Sequence, residues 1–310
     1  MASPIDNLRR IYARTPGELR GMAMILLATF AFSGMHVVAR QLQSDLPAFE
    51  VAFFRNLFGL LALTPFFLRH GFGVLRTRRL GLHAIRSGIQ VGSMLMFFTA
   101  LTMTPLAKVS AMSFTAPLFA TLGAVLILGE RIRARRITAL GLGFVGAMII
   151  VRPGVAVLDT GAMLVLASSA SWAVALLVIK HLANTESSLT LTAYMGIFMT
   201  PLSFLAAVWG WRWPEPEDYL WFLAMGSLGS VAHLLMAQAF READATAVLA
   251  LDFTRLIWAS LLGFFVFGEV PALWTWIGGS VIFVSTTYIA YREARLKGAG
   301  RRRVNRRDPP

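Results

Sequence analysis

Apolar residues in this chain fall into long blocks that are separated by short polar segments. Most blocks are about 17–24 residues long, the length that an α-helix needs to cross roughly 30 Å of hydrocarbon at 1.5 Å per residue. Because lipid offers the backbone no hydrogen-bond partners, such blocks must be helical. The pattern predicts ten transmembrane helices, at residues 21–41, 48–69, 80–101, 106–129, 137–151, 160–182, 189–210, 219–239, 245–268 and 274–291. The expected fold is an all-α polytopic membrane protein.

The overall composition agrees with this prediction and narrows the function. Hydrophobic residues make up 56 % of the chain and charged residues 15 %, whereas a soluble domain has roughly 45–50 % and about 25 %. The chain has no cysteine, which excludes disulfides and thiolate metal sites. It also lacks a Walker loop, an HExxH motif and Cys/His metal spacing. We therefore expect no enzyme activity, no cofactor and no metal site.

Positive charge is distributed unevenly between the two sides of the predicted helices. Twenty-two of the 29 Lys and Arg residues fall on the side that holds both ends of the chain, four on the other side and three within spans. Since cytoplasmic loops carry the excess of Lys and Arg, residues 1–20 are predicted to be a cytoplasmic N-terminal segment and 292–310 a basic cytoplasmic tail. The run Arg301–Arg307 is interpreted as a topology-setting segment near anionic lipid, and we expect no binding to nucleic acid.

An internal repeat relates the two halves of the chain. Shifted by 139 residues, Ala100–Glu130 aligns without a gap on Ala239–Glu269, with nine of 31 positions identical, including a Gly-Glu pair in each copy. The sequence predicts a first five-helix repeat at 21–151 and a second at 160–291. Because five is an odd number, the second repeat enters the membrane from the opposite side. The basic run RIRARR follows the first Gly-Glu pair and the uncharged VPALWT follows the second, as two inverted five-helix repeats require.

Several motifs in this repeat resemble the EamA family of the drug/metabolite transporter superfamily. They are SFTAPLF at 113–119, LGE at 128–130, DFTRLIWA at 252–259 and FGE at 267–269. The resemblance extends over about residues 20 to 292. It implies a multi-pass protein of the bacterial inner membrane with a substrate cavity lined by the third, fourth, eighth and ninth spans.

The predicted function is secondary transport of a small metabolite by alternating access between the two repeats. Export of amino acids is the first hypothesis, and the resemblance leaves open other metabolites such as a nucleoside derivative, a vitamin or S-adenosylmethionine. A polytopic membrane enzyme acting on lipid-linked substrates and a membrane assembly or sensing protein are the rival classes. The expected partners are a small-molecule substrate and the lipid bilayer, and a homodimer is left open.

The ninth span carries the sharpest candidates for substrate binding. Asp252 and Arg255 lie about 10 Å and 15 Å from its start at 1.5 Å per residue, and their i,i+3 spacing places them on one face with Thr254 alongside. Arg255 can bind a substrate carboxylate, and Asp252 can bind an amine or a coupling proton. The alternative is a self-neutralising ion pair that only fixes helix packing. The matching hydroxyl positions of the first half are Ser113 and Thr115.

Polar residues in other spans complete the predicted site. Gln90 and Ser93 in the third span are candidates for lining the cavity, and His233 in the eighth span is the alternative proton carrier to Asp252. Arg55, with Glu50 five residues earlier, is interpreted as a structural arginine near the outer interface. Five other residues are given structural interpretations: Arg86 and His83 as interfacial residues, His36 as a packing residue, and Glu130 and Glu269 as turn elements.

Overall fold

The computed structural model describes residues 15–113, 115–116, 119–120, 159–243, 248, 251–252, 254–281 and 283–284, and seven positions between 138 and 149. Within these residues the chain forms α1 (Gly17–Leu42), α2 (Ala48–Ala62), α3 (Thr64–His70), α4 (Leu80–Met103), α5 (Leu106–Ser113), α6 (Thr160–Ala183), α7 (Ser188–Ala207), α8 (Asp218–Glu242) and α9 (Thr254–Phe267). Short 3₁₀ turns occupy Phe72–Leu75 and Val208–Gly210, and residues 273–281 are also helical.

Six segments in the described part of the chain are long and apolar enough to cross a membrane. They are Gly17–Leu42, Ala48–Arg69, Leu80–Met103, Thr160–Ala183, Ser188–Gly210 and Asp218–Glu242. These segments coincide with the first, second, third, sixth, seventh and eighth predicted spans, and α9 is a shorter apolar helix inside the ninth. Most of the fifth predicted span, most of the second half of the fourth, Glu130, residues 1–14 and residues 285–310 lie outside the described residues. The all-helical membrane fold is therefore confirmed for these segments, and the count of ten stays a prediction.

The second span contains a break that the apolar pattern did not predict. Helix α2 ends at Ala62 and α3 begins at Thr64, with Pro65 in its first turn. Proline has no backbone N–H and so cannot donate to the carbonyl four residues earlier, but it fits the first turn of a new helix. The break therefore has a local cause in the sequence.

One end of the helical bundle is held together by contacts between distant loops. Lys108 lies 3.0 Å from Asp159, whose other carboxylate oxygen accepts a hydrogen bond from the Ala162 N–H at the start of α6. That hydrogen bond lowers the pKa of Asp159, Lys108 acts in the same direction, and burial opposes both. Glu50 at the start of α2 accepts a hydrogen bond from the backbone N–H of Arg212 at 2.9 Å. We call this end, which also holds Glu269, the Glu269 end.

The opposite end has its own set of contacts. Arg20 near the start of α1 pairs with Glu242 at the end of α8 at 2.8 Å, and Thr77 donates a hydrogen bond to Glu186 at 2.6 Å. We call this the Glu242 end. Each of these contacts joins segments that the alternation of predicted spans places on the same side of the membrane. Consequently α1 runs from the Glu242 end to the Glu269 end, and α6 runs in the opposite direction.

The long helices pack in a pattern that is preserved when the halves of the chain are exchanged. Helix α1 packs extensively on α8, and α4 packs extensively on α6. Likewise α2 packs on α8, and α4 packs on α7. These pairings are expected if a two-fold axis relates α1 to α6, α2 to α7 and α4 to α8. The inverted repeat stays a prediction that this pairing supports.

Small residues allow the closest of these helix contacts. A Cβ atom on Gly226 of α8 would lie 2.5 Å from the Gly59 nitrogen of α2, so a side chain there would collide with backbone. At the same crossing Ser230 donates a hydrogen bond to the Gly59 carbonyl at 2.7 Å. Close backbone approach through small residues is the usual way in which helices associate in lipid.

The outer surface of the bundle is apolar. Leu68, Phe265 and Val270 are 76 %, 75 % and 79 % exposed, far more apolar exposure than a soluble surface tolerates in one place. Trp209 and Trp213, exposed at the Glu269 end, fit the headgroup level, where indole rings are enriched. The chain therefore has the surface of a protein embedded in lipid.

The second Gly-Glu pair forms a junction between three segments. Gly268 has a φ of 67°, a left-handed conformation that ends α9, and its N–H donates to the Phe264 carbonyl at 3.0 Å. This turn directs the Glu269 carboxylate to the start of α5, where it accepts from the Leu106 N–H at 3.0 Å, and to Arg40 at the end of α1, with which it forms an ion pair. Glu269 thus has the structural role that the sequence predicted for it and also joins parts of the chain that are far apart in sequence.

Replacing Glu269 with alanine is expected to destabilise the protein. The change removes a charged hydrogen bond to a helix N-terminus, an interaction worth about 1.5–3 kcal/mol, together with the pair to Arg40. The thermal unfolding midpoint of the purified protein should fall by several degrees, while Glu217→Ala at the same end, where the side chain is exposed, should leave it unchanged. Equal midpoints for both variants would contradict the junction.

Candidate functional site

A cavity lies between the helices at about the middle of their length. The space between the lining side chains, including the opening to solvent, is about 850 Å³. Its aromatic wall consists of Phe32, His36, Phe97, Phe98, Trp172 and His233. The polar and charged side chains that line it are Arg55, Gln90, Ser93, Ser113, Ser168, Ser169, Asp252 and Arg255. Trp172 is close to the midpoint of α6, so the cavity is remote from both ends of the bundle.

Asp252 and Arg255 line the cavity and bind each other. Arg255 Nη2 lies 2.5 Å from Asp252 Oδ1, and the Arg255 guanidinium is stacked over the Phe32 ring at 4.8 Å from its centroid. The Arg255 Nε atom is buried and has no hydrogen-bond partner among the described residues. The two side chains neutralise each other, as the hypothesis of a structural ion pair required. They also line the cavity, as the hypothesis of a substrate-binding pair required.

Arg55 is not the interfacial arginine that the sequence suggested. Its side chain is only 4 % exposed and lines the cavity. Glu50, the partner expected from sequence spacing, instead accepts the hydrogen bond from the Arg212 backbone. Arg55 Nη1 donates to the Asn56 side-chain carbonyl at 2.7 Å and Arg55 Nε donates to the Met35 sulfur at 3.5 Å. The arginine is thus a cavity residue that was missing from the predicted site.

Arg86 and His83 are also buried rather than interfacial. Arg86 is 2 % exposed and donates to the Leu191 carbonyl of α7 at 2.8 Å, and the His83 ring lies on Tyr194 with 4.7 Å between centroids. Neither residue lines the cavity. Helix α7 covers this face of α4, so the two residues that the sequence analysis called interfacial are not exposed at the surface of the bundle.

Gln90 and Ser93 both reach the cavity from α4. Gln90 Nε2 donates to the Met195 sulfur at 3.3 Å, and its side-chain carbonyl is buried without a partner among the described residues. Ser93 and Ser168 exchange hydrogen bonds, each hydroxyl donating to the other residue's carbonyl, at 2.9 and 2.8 Å. Gln90 therefore keeps an acceptor available for a ligand, whereas the Ser93 hydroxyl joins α4 to α6.

The three hydroxyl residues predicted beside the charged pair have different positions. Ser113 lines the cavity, although its hydroxyl donates to the Val109 carbonyl of its own helix at 2.8 Å. Thr115 is buried outside the lining and donates to Met112. Thr254 also lies outside the lining, where its hydroxyl is 2.9 Å from that of Thr29. The structure thus separates Thr115 and Thr254 from the other six predicted residues.

The two histidines belong to the aromatic wall. His233 makes an edge contact with Phe32 at 4.9 Å and with Trp172 at 6.0 Å, and His36 lies 4.7 Å from Phe97. The Nδ1 atom of His36 is buried with no hydrogen-bond partner in the described part of the chain. His36, interpreted from sequence as a packing residue, therefore also presents a polar atom at the cavity.

The number of acidic residues in the predicted spans indicated that Arg55 could be a cavity residue, although helical spacing alone did not. The predicted spans hold two acidic residues, Glu50 and Asp252, so a mid-span arginine can be neutralised only by one of them. Pairing Asp252 with Arg255 by helical spacing leaves Arg55 dependent on Glu50, which lies at the end of its span.

Among the described residues there is no group of three or more His, Asp or Glu side chains that could hold a metal ion.

Comparison with known proteins identifies the class to which this fold and cavity belong. The EamA-like transporter family matches the chain twice, at residues 19–152 and 159–291. The chain therefore belongs to the EamA-like transporter family, whose members are transporters and not enzymes.

Two curated relatives extend over nearly the whole chain. A riboflavin transporter of Vibrio cholerae is 30 % identical over 283 residues, which cover 89 % of this chain and 95 % of the relative. An S-adenosylmethionine uptake transporter of Rickettsia prowazekii is 29 % identical over 275 residues, covering 89 % and 94 %. A solved crystal structure shares the fold, with a TM-score of 0.65, 19 % identity and coverage of 90 % of this chain and 98 % of the other. The protein is a multi-pass membrane transporter of small metabolites.

A double-mutant cycle is expected to separate the two roles of the Asp252–Arg255 pair. Breaking a buried pair by removing one partner costs about 3–5 kcal/mol, whereas replacing both partners is often nearly neutral. Asp252→Asn and Arg255→Gln should each lower the thermal unfolding midpoint, and the double variant should recover most of the loss. If the losses of the two single variants simply add in the double variant, the two side chains do not act as a pair.

Proposed function

We propose that this chain transports a planar heterocyclic metabolite across the bacterial inner membrane by alternating access, with a flavin as the first candidate. The observation that carries the proposal is the aromatic wall of the mid-depth cavity, which presents Phe32, Phe97 and Trp172 to one space. Aromatic rings stack on flat ring systems with a geometric preference that aliphatic side chains lack. A flat ligand is the one that this wall fits best.

The cavity also has unused hydrogen-bonding capacity. His36 Nδ1, the Gln90 side-chain carbonyl and Arg255 Nε are buried without partners among the described residues. Buried polar atoms are nearly always hydrogen-bonded, and an exception at a cavity calls for a missing partner. The edge of a heterocycle, with alternating carbonyl oxygens and ring nitrogens, offers both acceptors and donors to these atoms.

The two relatives favour the same class of cargo. Riboflavin and S-adenosylmethionine each contain a fused, nitrogen-rich ring system, and the proteins named for transporting them match the chain over nearly all of its length. The cavity favours neither direction of transport, so the experiment below measures both uptake and export.

Export of amino acids, the first hypothesis from the sequence, is the second candidate. Asp252 and Arg255 have the charges to bind the amino and carboxylate groups of a zwitterion. In the structure they bind each other at 2.5 Å, so an amino acid would first have to separate them. The heterocycle needs no such step, and for that reason we rank it above the amino acid.

Ion pairs and hydrogen bonds that join segments at both ends of the bundle support alternating access. The Glu269 junction and the Arg40 pair tie the end predicted to face outward, and the Arg20–Glu242 pair ties the end predicted to face the cytoplasm. Inverted repeats make the outward-open and inward-open states similar in energy, so opening one end while the other stays closed would move the cavity contents across. Asp252 and His233, both at the cavity, are the candidate proton carriers if transport is coupled to protons.

Riboflavin is expected to bind the purified protein and to be carried into or out of proteoliposomes. Stacking on Trp172 should quench the flavin fluorescence, which gives a direct binding readout. Trp172→Ala and Phe97→Ala should each weaken binding by about tenfold, the loss of one aromatic stack of roughly 1–1.5 kcal/mol.

The matched control is Phe265→Ala. This residue is also a phenylalanine in a membrane helix, but its side chain is 75 % exposed on the outer surface. It should bind riboflavin as the unaltered protein does. Loss of binding in Phe265→Ala equal to that in Phe97→Ala, or movement of amino acids with no response to any flavin or nucleoside, would overturn the heterocycle proposal.

A further inference from the structure

The ionisable residues at mid-depth do not balance in charge. Away from the span ends, three arginines lie within predicted spans, Arg55, Arg86 and Arg255, while the spans contain two acidic residues, Glu50 and Asp252. Asp252 is committed to Arg255 and Glu50 to the Arg212 backbone at the Glu269 end. Among the described residues no carboxylate pairs with Arg55, so its positive charge at the cavity has no counter-charge there.

Arg55 differs from Arg86, the other arginine without an acidic partner. The Arg86 guanidinium lies outside the cavity and donates to a backbone carbonyl of a neighbouring helix, which is a structural use of the group. Arg55 faces the cavity and has two neutral neighbours, a thioether sulfur and an amide oxygen.

The surroundings of Arg55 hold its guanidinium in place. Asn56, which accepts from Arg55, is itself fixed because its amide donates to the Ser203 hydroxyl at 3.1 Å. On the other side the guanidinium lies against Gly229 of α8, where an added Cβ would be 2.9 Å from Nη2 and 2.8 Å from the Met35 sulfur. Gly229 thus leaves the space that the arginine occupies.

We propose that the cargo supplies the missing negative charge, and that an anionic group of the heterocycle, a carboxylate or a phosphate, binds to Arg55. A buried cation without a counter-charge is strongly unfavourable. A ligand that brings the opposite charge into the same low-dielectric space therefore binds more tightly than a neutral one. The planar guanidinium can bind a carboxylate or phosphate through two parallel hydrogen bonds. This inference rests on the proposed function and adds to it the charge of the substrate.

The test compares related heterocycles with and without an anionic group. Three matched pairs serve as probes: uracil with orotate, nicotinamide with nicotinate, and riboflavin with flavin mononucleotide. Binding to the purified protein is measured by the rise in unfolding midpoint, since a ligand that binds only the folded form raises it. The anionic member of at least one pair should bind about tenfold more tightly than its neutral partner, a difference of about 1.4 kcal/mol.

Variants assign that preference to Arg55. Arg55→Gln should abolish the difference within the pair while neutral heterocycles still bind. Gly229→Ala should reduce it by displacing the tip of the guanidinium, and because the atoms it meets are flexible side-chain ends, this variant should still fold. Gly92→Ala, on α4 with open space around the added Cβ, is the matched control and should keep the preference.

The outcomes distinguish this inference from the proposed function. If no heterocycle of either charge binds, the proposed function itself fails. If neutral and anionic members bind equally, or if Arg55→Gln and Gly229→Ala keep an anion preference as large as that of Gly92→Ala, heterocycle binding stands and the role of Arg55 is overturned.

Discussion

A charge in the interior of a membrane protein must be met by an opposite charge or a polar group, because neither lipid nor packed apolar side chains solvate it. The organisation of this transporter follows from that constraint. Asp252 and Arg255 neutralise each other at 2.5 Å, and Arg86 donates a hydrogen bond to a backbone carbonyl. Arg55 is left with neutral neighbours at the wall of the cavity. The cavity therefore presents polar and charged groups at mid-depth between apolar helices. A ligand bound there can supply the hydrogen bonds and the counter-charge that these groups lack.

The same constraint explains the contacts that join segments at the two ends of the bundle. Where polar groups approach the membrane surfaces, they pair across segments distant in sequence, Glu269 with Arg40 and with the start of α5, and Arg20 with Glu242. Such pairs are partly exposed to water and can separate at lower cost than pairs in the core. Contacts that break at the surfaces, around a core that stays intact, are what alternating access requires.

The fold could be predicted from the sequence to a large extent, because the length of an apolar block and the hydrogen-bonding needs of the backbone together determine a membrane helix. The six long described helices agree with predicted spans, and the functions of Gly268 and Glu269 follow from their places at a helix end. Pro65 shows the limit of the pattern, since a proline within an apolar block restarts the helix without interrupting the span.

The site was harder to predict, since helical spacing describes one helix and the cavity is made by many. Spacing correctly brought Asp252 and Arg255 together because both are on one helix. Spacing also predicted that Glu50 pairs with Arg55, because both are on one helix. In the folded chain Glu50 instead accepts a hydrogen bond from the Arg212 backbone N–H. The aromatic wall combines Phe32, Phe97 and Trp172 from three helices, and each of them taken alone is an ordinary apolar residue.

The central claim is that one mid-depth cavity opens in turn to both sides of the membrane. Because the chain has no cysteine, a single cysteine at Ser169 in the cavity wall can be labelled without background by a small membrane-impermeant thiol reagent. In membrane vesicles of either orientation the account predicts labelling of Ser169→Cys from both sides, while Glu217→Cys and Arg76→Cys are labelled from one side each, and from opposite sides. Labelling of Ser169→Cys from one side only, with both loop positions behaving as expected, would contradict it.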